Sequence, residues 1–321
     1  MSCPACFRGA AHDHAEPKGT METIHGMRTY VAGGSDPARS KSAIIYLPDA
    51  FSLKLVNNKL LADEYAAGTG CKVYIPDVVM NGGMEPSLMS KMETLMTPNP
   101  SWTITGVLSK ISTALILIPS IVPFLLFAHP SKIYPKILAF ARAVKADLPP
   151  GGKLGAAGFC WGAWPATKLC VETTSTTTST APDSDTSAGA TSSRLIDAQF
   201  NGHPSYMVKT PEMVVDAIRK FKVPYSSAVA ENDMQFNKAE AEKVEARLRE
   251  VVGASSTNGT TSGGQGGEGE GEGCTYEFKI YDGCVHGFCV RAPIGKYDGT
   301  NESGYEGAKR QAVEWFDKYL N

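Results

Sequence analysis

Neither sign of charge dominates this chain: 31 Lys and Arg stand against 33 Asp and Glu, a net charge of -2. No basic run gathers the cations into a surface for phosphates, so no nucleic-acid partner is expected and a small uncharged substrate is. A secretory leader is missing as well. Ser2–Lys18 is rich in Cys, His, Pro and charge, whereas a leader needs a charged start and then an apolar stretch; the expectation is a cytoplasmic protein. Cysteine is sparse, eight in 321 residues, too few for the disulfide framework of a small secreted domain, and reduced thiols in a reducing compartment follow. Long apolar runs are scarce too. The exception is Ile111–Ser131, which holds no Asp, Glu, Lys or Arg. A membrane span needs about 20 consecutive apolar residues. Here Pro119 and Pro123 interrupt the run, and Ser112, Thr113, Ser120 and His129 dilute it. Segment 104–131 is therefore expected as a buried cap or lid helix pair over a pocket in preference to a bilayer span, with a membrane-associated segment as the alternative.

What is present is apolar material for a sizeable core: 42% of the residues are hydrophobic, enough for one large α/β domain carrying insertions. Ser42–Leu47 and Lys72–Ile75 have the composition of short buried strands, each followed by a Pro-Asp pair, with helical spacing over Asn57–Gly68 between them. Tyr134–Leu148 reads as a helix stopped by Pro149-Pro150-Gly151-Gly152, after which Lys153–Ala157 reads as a strand and Ala163–Glu172 as a helix. Further strands are expected at Leu195–Phe200, Val223–Val229 and Thr275–Tyr281. Helices are expected at Pro211–Lys220, Asn237–Val252 and near Tyr305–Leu320. This alternation implies a mostly parallel central sheet with helices on both faces. Residues 1–18 form a tail and 19–321 the domain, interrupted by two low-complexity insertions, 173–193 and 253–273. Their Ser, Thr, Gly and acidic content cannot bury enough apolar surface to offset the entropy of ordering.

Chemistry concentrates at Gly158-Phe159-Cys160-Trp161-Gly162. A Gly-x-nucleophile-x-Gly sequence between a strand and a helix is the nucleophile elbow of the α/β-hydrolase architecture, here with a thiol at its apex. The flanking glycines let strand and helix approach one another. That architecture places an acid after a late strand and a histidine after the last one. Ala230-Glu231-Asn232-Asp233 and Asp282-Gly283-Cys284-Val285-His286-Gly287-Phe288 stand at those places. In the order Cys160, Asp233, His286, the imidazole would take the thiol proton and the carboxylate would orient the imidazole. The backbone N–H groups of Trp161 and of Ala50, in the turn after an early strand, would form an oxyanion hole.

These residues, with Leu47-Pro48-Asp49-Ala50-Phe51, resemble the dienelactone hydrolase (carboxymethylenebutenolidase) family, in particular its fungal-type members. The resemblance spans roughly Gly19 to the last residue, outside the insertions and the apolar segment. It implies hydrolysis of a lactone or carboxylic ester, an acyl-thiol intermediate and no cofactor, in a monomer or homodimer. It also implies that Asp49, in place of the longer Glu of the bacterial enzymes, takes part in activating the cysteine. Arg291 would hold a substrate carboxylate, and His203 of His203-Pro204-Ser205 would line the pocket. Two other classes share these features: a non-catalytic ligand-binding or interaction protein on the same fold, and a thiol-dependent acyl transferase. At the N-terminus, Cys3, Cys6, His12 and His14 are zinc-type residues, but the histidines are too close and offset by two, so a tail without metal is expected.

Overall fold

The computed structural model of the chain describes residues 4–7, 9–12, 15–33, 40–97, 103–175, 193–208, 210–252, 273–292 and 300–321. Eight strands form one sheet: β1 (Thr20–Ile24), β2 (Met27–Ala32), β3 (Ala43–Leu47), β4 (Lys72–Pro76), β5 (Leu154–Phe159), β6 (Ala198–Gly202), β7 (Tyr225–Ala230) and β8 (Tyr276–Tyr281). Their spatial order is β1-β2-β4-β3-β5-β6-β7-β8, parallel from β4 to β8 and antiparallel at the β1 and β2 edge. The helices are α1 (Val56–Thr69), α2 (Leu88–Met96), α3 (Ile104–Phe127), α4 (Pro130–Asp147), α5 (Ala163–Leu169), α6 (Pro211–Arg219), α7 (Lys238–Val252), α8 (Phe288–Arg291) and α9 (Thr300–Leu320). This is the α/β-hydrolase fold expected from the sequence, a mostly parallel sheet with helices on both faces.

A strand covered on both faces needs apolar residues at every position rather than at alternate ones. Ala-Ile-Ile-Tyr-Leu of β3 meets that need, and all five residues are buried. Ile44 and Tyr46 enter one core with Tyr65 of α1, Phe159, Phe200 and Phe316 of α9. Ile45 and Leu47 enter the other with Phe140 of α4, Trp161, Leu169 of α5 and Val214 of α6. Each α-to-β return therefore leaves its strand's carboxyl end on the same rim of the sheet, where ligands bind in open parallel sheets.

Three features depart from the sequence reading. The hairpin β1–β2 went unread because β1 is largely exposed and lacks an apolar run; its His25-Gly26 turn takes left-handed φ at both residues, as two-residue hairpins require. Segment 104–131 is not a buried helix pair. α3 runs through Pro119 and Pro123 as one helix, most of it exposed, with Leu117 its buried residue. Each proline forfeits an N–H but keeps a helical φ, and the break falls instead at Ala128-His129, where Pro130 opens α4. Third, the N-terminal residues pack on the domain. Ala10 donates its N–H to the Arg291 carbonyl, Asn57 Nδ2 donates to the Ala10 carbonyl, and His12 Nε2 lies 2.9 Å from the Ala292 carbonyl. Of the two insertions, residues 176–192 and 253–272 lie outside the described residues; the first is closed at its base by an antiparallel bridge between Thr173 and Arg194.

Candidate active site

Four strand ends converge on one rim. β5 delivers Cys160, β6 His203 and Ser205, β7 Asp233, and β8 His286. Cys160 has φ of 49°, a left-handed conformation that costs a non-glycine residue about 1–3 kcal/mol and persists only where surrounding packing enforces it. The enforcement is steric. A Cβ on Gly158 would lie 2.6 Å from Ala163 Cα, and one on Gly162 would run into the Leu47 carbonyl. The elbow is thus pressed against the end of β3, which brings the turn carrying Ala50 beside the one carrying Trp161.

His286 Nε2 lies 3.1 Å from Cys160 Sγ, and its Nδ1 lies 2.9 Å from each carboxylate oxygen of Asp233. Asp233 Oδ1 also accepts from the Gln235 and Phe236 N–H groups, so the carboxylate is held from two sides. Asp233 and His286 are buried and Cys160 is part-exposed. Burial by itself drives the Cys160 thiol up, but the His286 charge and hydrogen bond, with a smaller contribution from Ser205, outweigh it and hold the thiol below its ordinary value. The reciprocal holds for the imidazole. Burial drives it down, yet Asp233 and the cysteine raise it to about 10. Both shifts run toward the charged forms of the pair, the thiol lowered and the imidazole raised, each by the other's presence.

Asp49 and Arg291 sit behind the thiol. Both are buried, with Arg291 Nε 3.5 Å from Asp49 Oδ2. Asp49 Oδ1 accepts from Asn58 Nδ2 and from the Phe51 N–H. Burial raises the Asp49 carboxyl and prevails over the Arg291 charge and these hydrogen bonds, which lower it. The guanidinium lies over the Phe51 ring and donates to the Cys6 carbonyl. In this structure Arg291 faces protein and Asp49, not an open pocket, which differs from the expected substrate-carboxylate contact; burial at 4% exposure is the reason. His203 is fully buried edge-on to His286, ring centroids 5.0 Å apart. Burial, with the nearby His286 and Arg291 charges, pushes its imidazole well below the ordinary range, so it packs as a neutral ring and does not line an open cavity.

The structure also shows contacts that the sequence reading did not assign. Ser205 Oγ lies 3.4 Å from Cys160 Sγ, and the Ser205 N–H donates to the Cys160 carbonyl; its place two residues beyond His203 was the available signal. Asn58 links Asp49 to Tyr46. Cys6 is disulfide-bonded, a correction to the expectation of reduced thiols throughout, while the six other described cysteines are free. Cys3 and His14 lie outside the described residues. Among the described residues no cluster of three His, Cys, Asp or Glu could hold a metal.

No family model matches the chain. Hydrolase pyvD of Aspergillus violaceofuscus is 22% identical over 315 residues, covering 98% of this chain and 96% of that protein. Dienlactone hydrolase 1 of Gibberella moniliformis is 39% identical over 62 residues, 19% of this chain and 23% of that protein. Among solved structures, a chain described as "Putative Dienelactone Hydrolase" from Klebsiella pneumoniae superposes with a TM-score of 0.53 at 14% identity, covering 94% of this chain and 98% of its own. Esterase 2 of Thermogutta terrifontis does so with a TM-score of 0.54 at 14% identity, covering 96% and 97%. The chain thus shares the α/β-hydrolase fold of these structures and is similar over nearly its whole length to a fungal hydrolase.

Proposed function

We propose that this protein hydrolyses a carboxylic ester or lactone through a covalent acyl-thiol on Cys160. The supporting observation is the unbroken relay from Asp233 through His286 to Cys160, at 2.9 and 3.1 Å. The Cys160 thiolate adds to the substrate carbonyl carbon, and the Trp161 and Ala50 N–H groups take up the charge that develops on its oxygen. Collapse breaks the C–O bond while the His286 imidazolium gives its proton to the departing alkoxide, which in a lactone stays tethered to the acyl group. Water then attacks the thioester, His286 accepts its proton, and the acid leaves with Cys160 restored. Asp233 stabilises each imidazolium that forms. The family resemblance assigns a carboxylate at the place of Asp49 to cysteine activation; here Asp49 is paired with Arg291 and its charge raises the thiol, so the thiolate is favoured by His286 and Ser205 against it.

The test is turnover of p-nitrophenyl acetate and of a lactone panel by purified protein. Cys160→Ala should lose at least about a thousandfold in kcat, the scale seen when a covalent nucleophile is removed. Unchanged turnover in that variant, with a thiol sluggish toward iodoacetamide at neutral pH, would overturn the assignment.

A further inference from the structure

We propose that the outward face of α3 docks on an anionic lipid bilayer. Ile104, Leu108, Ile111, Leu115, Ile118, Val122 and Leu125 recur at alternating intervals of four and three, and all are exposed, Ile104 by 81% and Leu115 by 64%. That spacing forms one stripe along a helix. Ile116, Leu126 and Phe127, also exposed, widen it toward the C-terminal end. The opposite side carries Leu117, Ile121 and Phe124 onto the two cores of the domain, so the helix lies along the body and does not leave it. With a mean hydropathy of 2.0 and a length of about 36 Å at 1.5 Å per residue, α3 has apolar residues on both sides and protein on one. A helix apolar all round is stable where the second side is also covered by apolar matter, and contiguous exposed patches of this kind mark interaction sites.

Charge selects the occupant. From Thr94 to Ala146 the chain has no acidic residue and five basic ones, which leaves 26 basic and 33 acidic side chains for the rest. Arg142 and Lys145 pair inward with Glu172 and Asp197. Lys132 and Lys136 form no ion pair among the described residues; Lys132 donates to the Leu126 carbonyl and sits over the Phe127 ring at the edge of the stripe, while Lys110, on the side of Leu117, donates to the Thr97 carbonyl. A second copy of this chain packed stripe to stripe would set lysine near lysine, and the positions flanking one side of the stripe are Ser109, Ile116 and Pro123, without the opposite charges that pair such helices. Anionic headgroups above an acyl layer complement both the lysines and the stripe, which is the design of a helix lying in the interface plane. The helix also ends beside the nucleophile: Trp161 Nε1 donates to the Ala128 carbonyl at 2.5 Å, and His129 meets Tyr206 edge-on at 5.3 Å. Docking would bring the mouth of the Cys160 site to the lipid surface, where apolar esters partition.

Flotation of the full chain with vesicles of phosphatidylcholine alone, or with 30% phosphatidylserine, tests this. The expected result is at least about tenfold more protein with the anionic vesicles, falling as salt is raised. Leu115→Asn, Ile118→Asn, Val122→Asn and Leu125→Asn combined should abolish flotation, and Lys132→Glu with Lys136→Glu should reduce it severalfold. Circular dichroism and the rate of Cys160 alkylation report that each variant is folded with its site intact, and neither depends on catalysis being as proposed. Absence of wild-type flotation, equal binding to both vesicle types, or undiminished binding by the four-fold variant would overturn the proposal. So would a lipid-free dimer that the four-fold variant dissociates, which would assign the face to a second copy.

Discussion

Cys160 is chemically distinct from the other described thiols because of what faces it. Cys289 is buried among apolar residues and burial pushes its thiol well above the ordinary value; Cys160 is lowered by His286 despite burial. The sign of the pH dependence follows. A lowered thiol keeps its thiolate as pH falls past the ordinary value near about 8.5 and loses it only in more acidic solution, while the imidazolium partner is lost as pH rises through about 10. Iodoacetamide alkylation of the native protein should therefore remain fast at pH 7, with its acid limb below that of a free thiol. In His286→Ala the limb should move up past the free-thiol value, since burial and the Asp49 charge, which both raise the thiol, are then opposed by the Ser205 hydrogen bond alone. Ser205→Ala should move it up by less, because the 3.4 Å contact is the weaker one. Rate against pH for the three proteins checks all three statements.

At the scale of elements, the site depends on how closely the β5–α5 turn meets β3. Gly162 touches the Leu47 and Pro48 backbone, not a flexible side chain, so the neighbour cannot swing aside. Gly162→Ala should cost about 1–3 kcal/mol of stability as an overpacked site and should lower thiol reactivity more than Gly26→Ala, whose added Cβ meets nothing within 4 Å. Urea unfolding and alkylation rates measure the two effects. A second joint is the buried pair between Asp49 after β3 and Arg291 at the end of α8. Removing one member of such a pair strands the other, so Arg291→Met should cost about 3–5 kcal/mol, while Asp49→Asn with Arg291→Met should recover much of it. A double-mutant cycle in urea gives the coupling.

Over the whole molecule, the N-terminal residues act as a strap between α1, α2 and α8. Asn57 of α1 bonds the Ala10 and Val290 carbonyls and accepts from the His12 N–H, and Gly9 packs against Arg291 and Met89. Deleting residues 1–12 would open the covered side of Arg291 and leave these buried polar groups to water or unpaired, at about 1–3 kcal/mol for each that stays unpaired. The expected outcome is a Tm lower by several degrees, with alkylation of Cys160 largely kept because the Asp233–His286 relay does not involve the strap. A thermal melt beside an alkylation assay reads both.

The chain order Cys160, Asp233, His286 and the glycines around the cysteine were legible because each is a local pattern: a turn residue, a strand end, a short loop. Buried parallel strands such as Ala43–Leu47 were legible for the same reason, since covering both faces demands an unbroken apolar run. The edge hairpin was not, because an exposed strand carries little apolar signal. Nor was the burial of Arg291 or the contact of Ser205 with the thiol, since both depend on which distant segments cover the rim. Composition also suggested that an uncharged segment with two prolines would be buried, and the fold left most of α3 exposed. Sequence by itself determined the fold class, the approximate places of the central strands and the candidate residues Cys160, Asp233 and His286, all set by local spacing and hydrophobic pattern. Tertiary structure alone decided the 3.1 Å approach of His286 to Cys160, the pairing of Asp49 with Arg291 and the exposure of α3, because distances between remote residues depend on how whole elements pack.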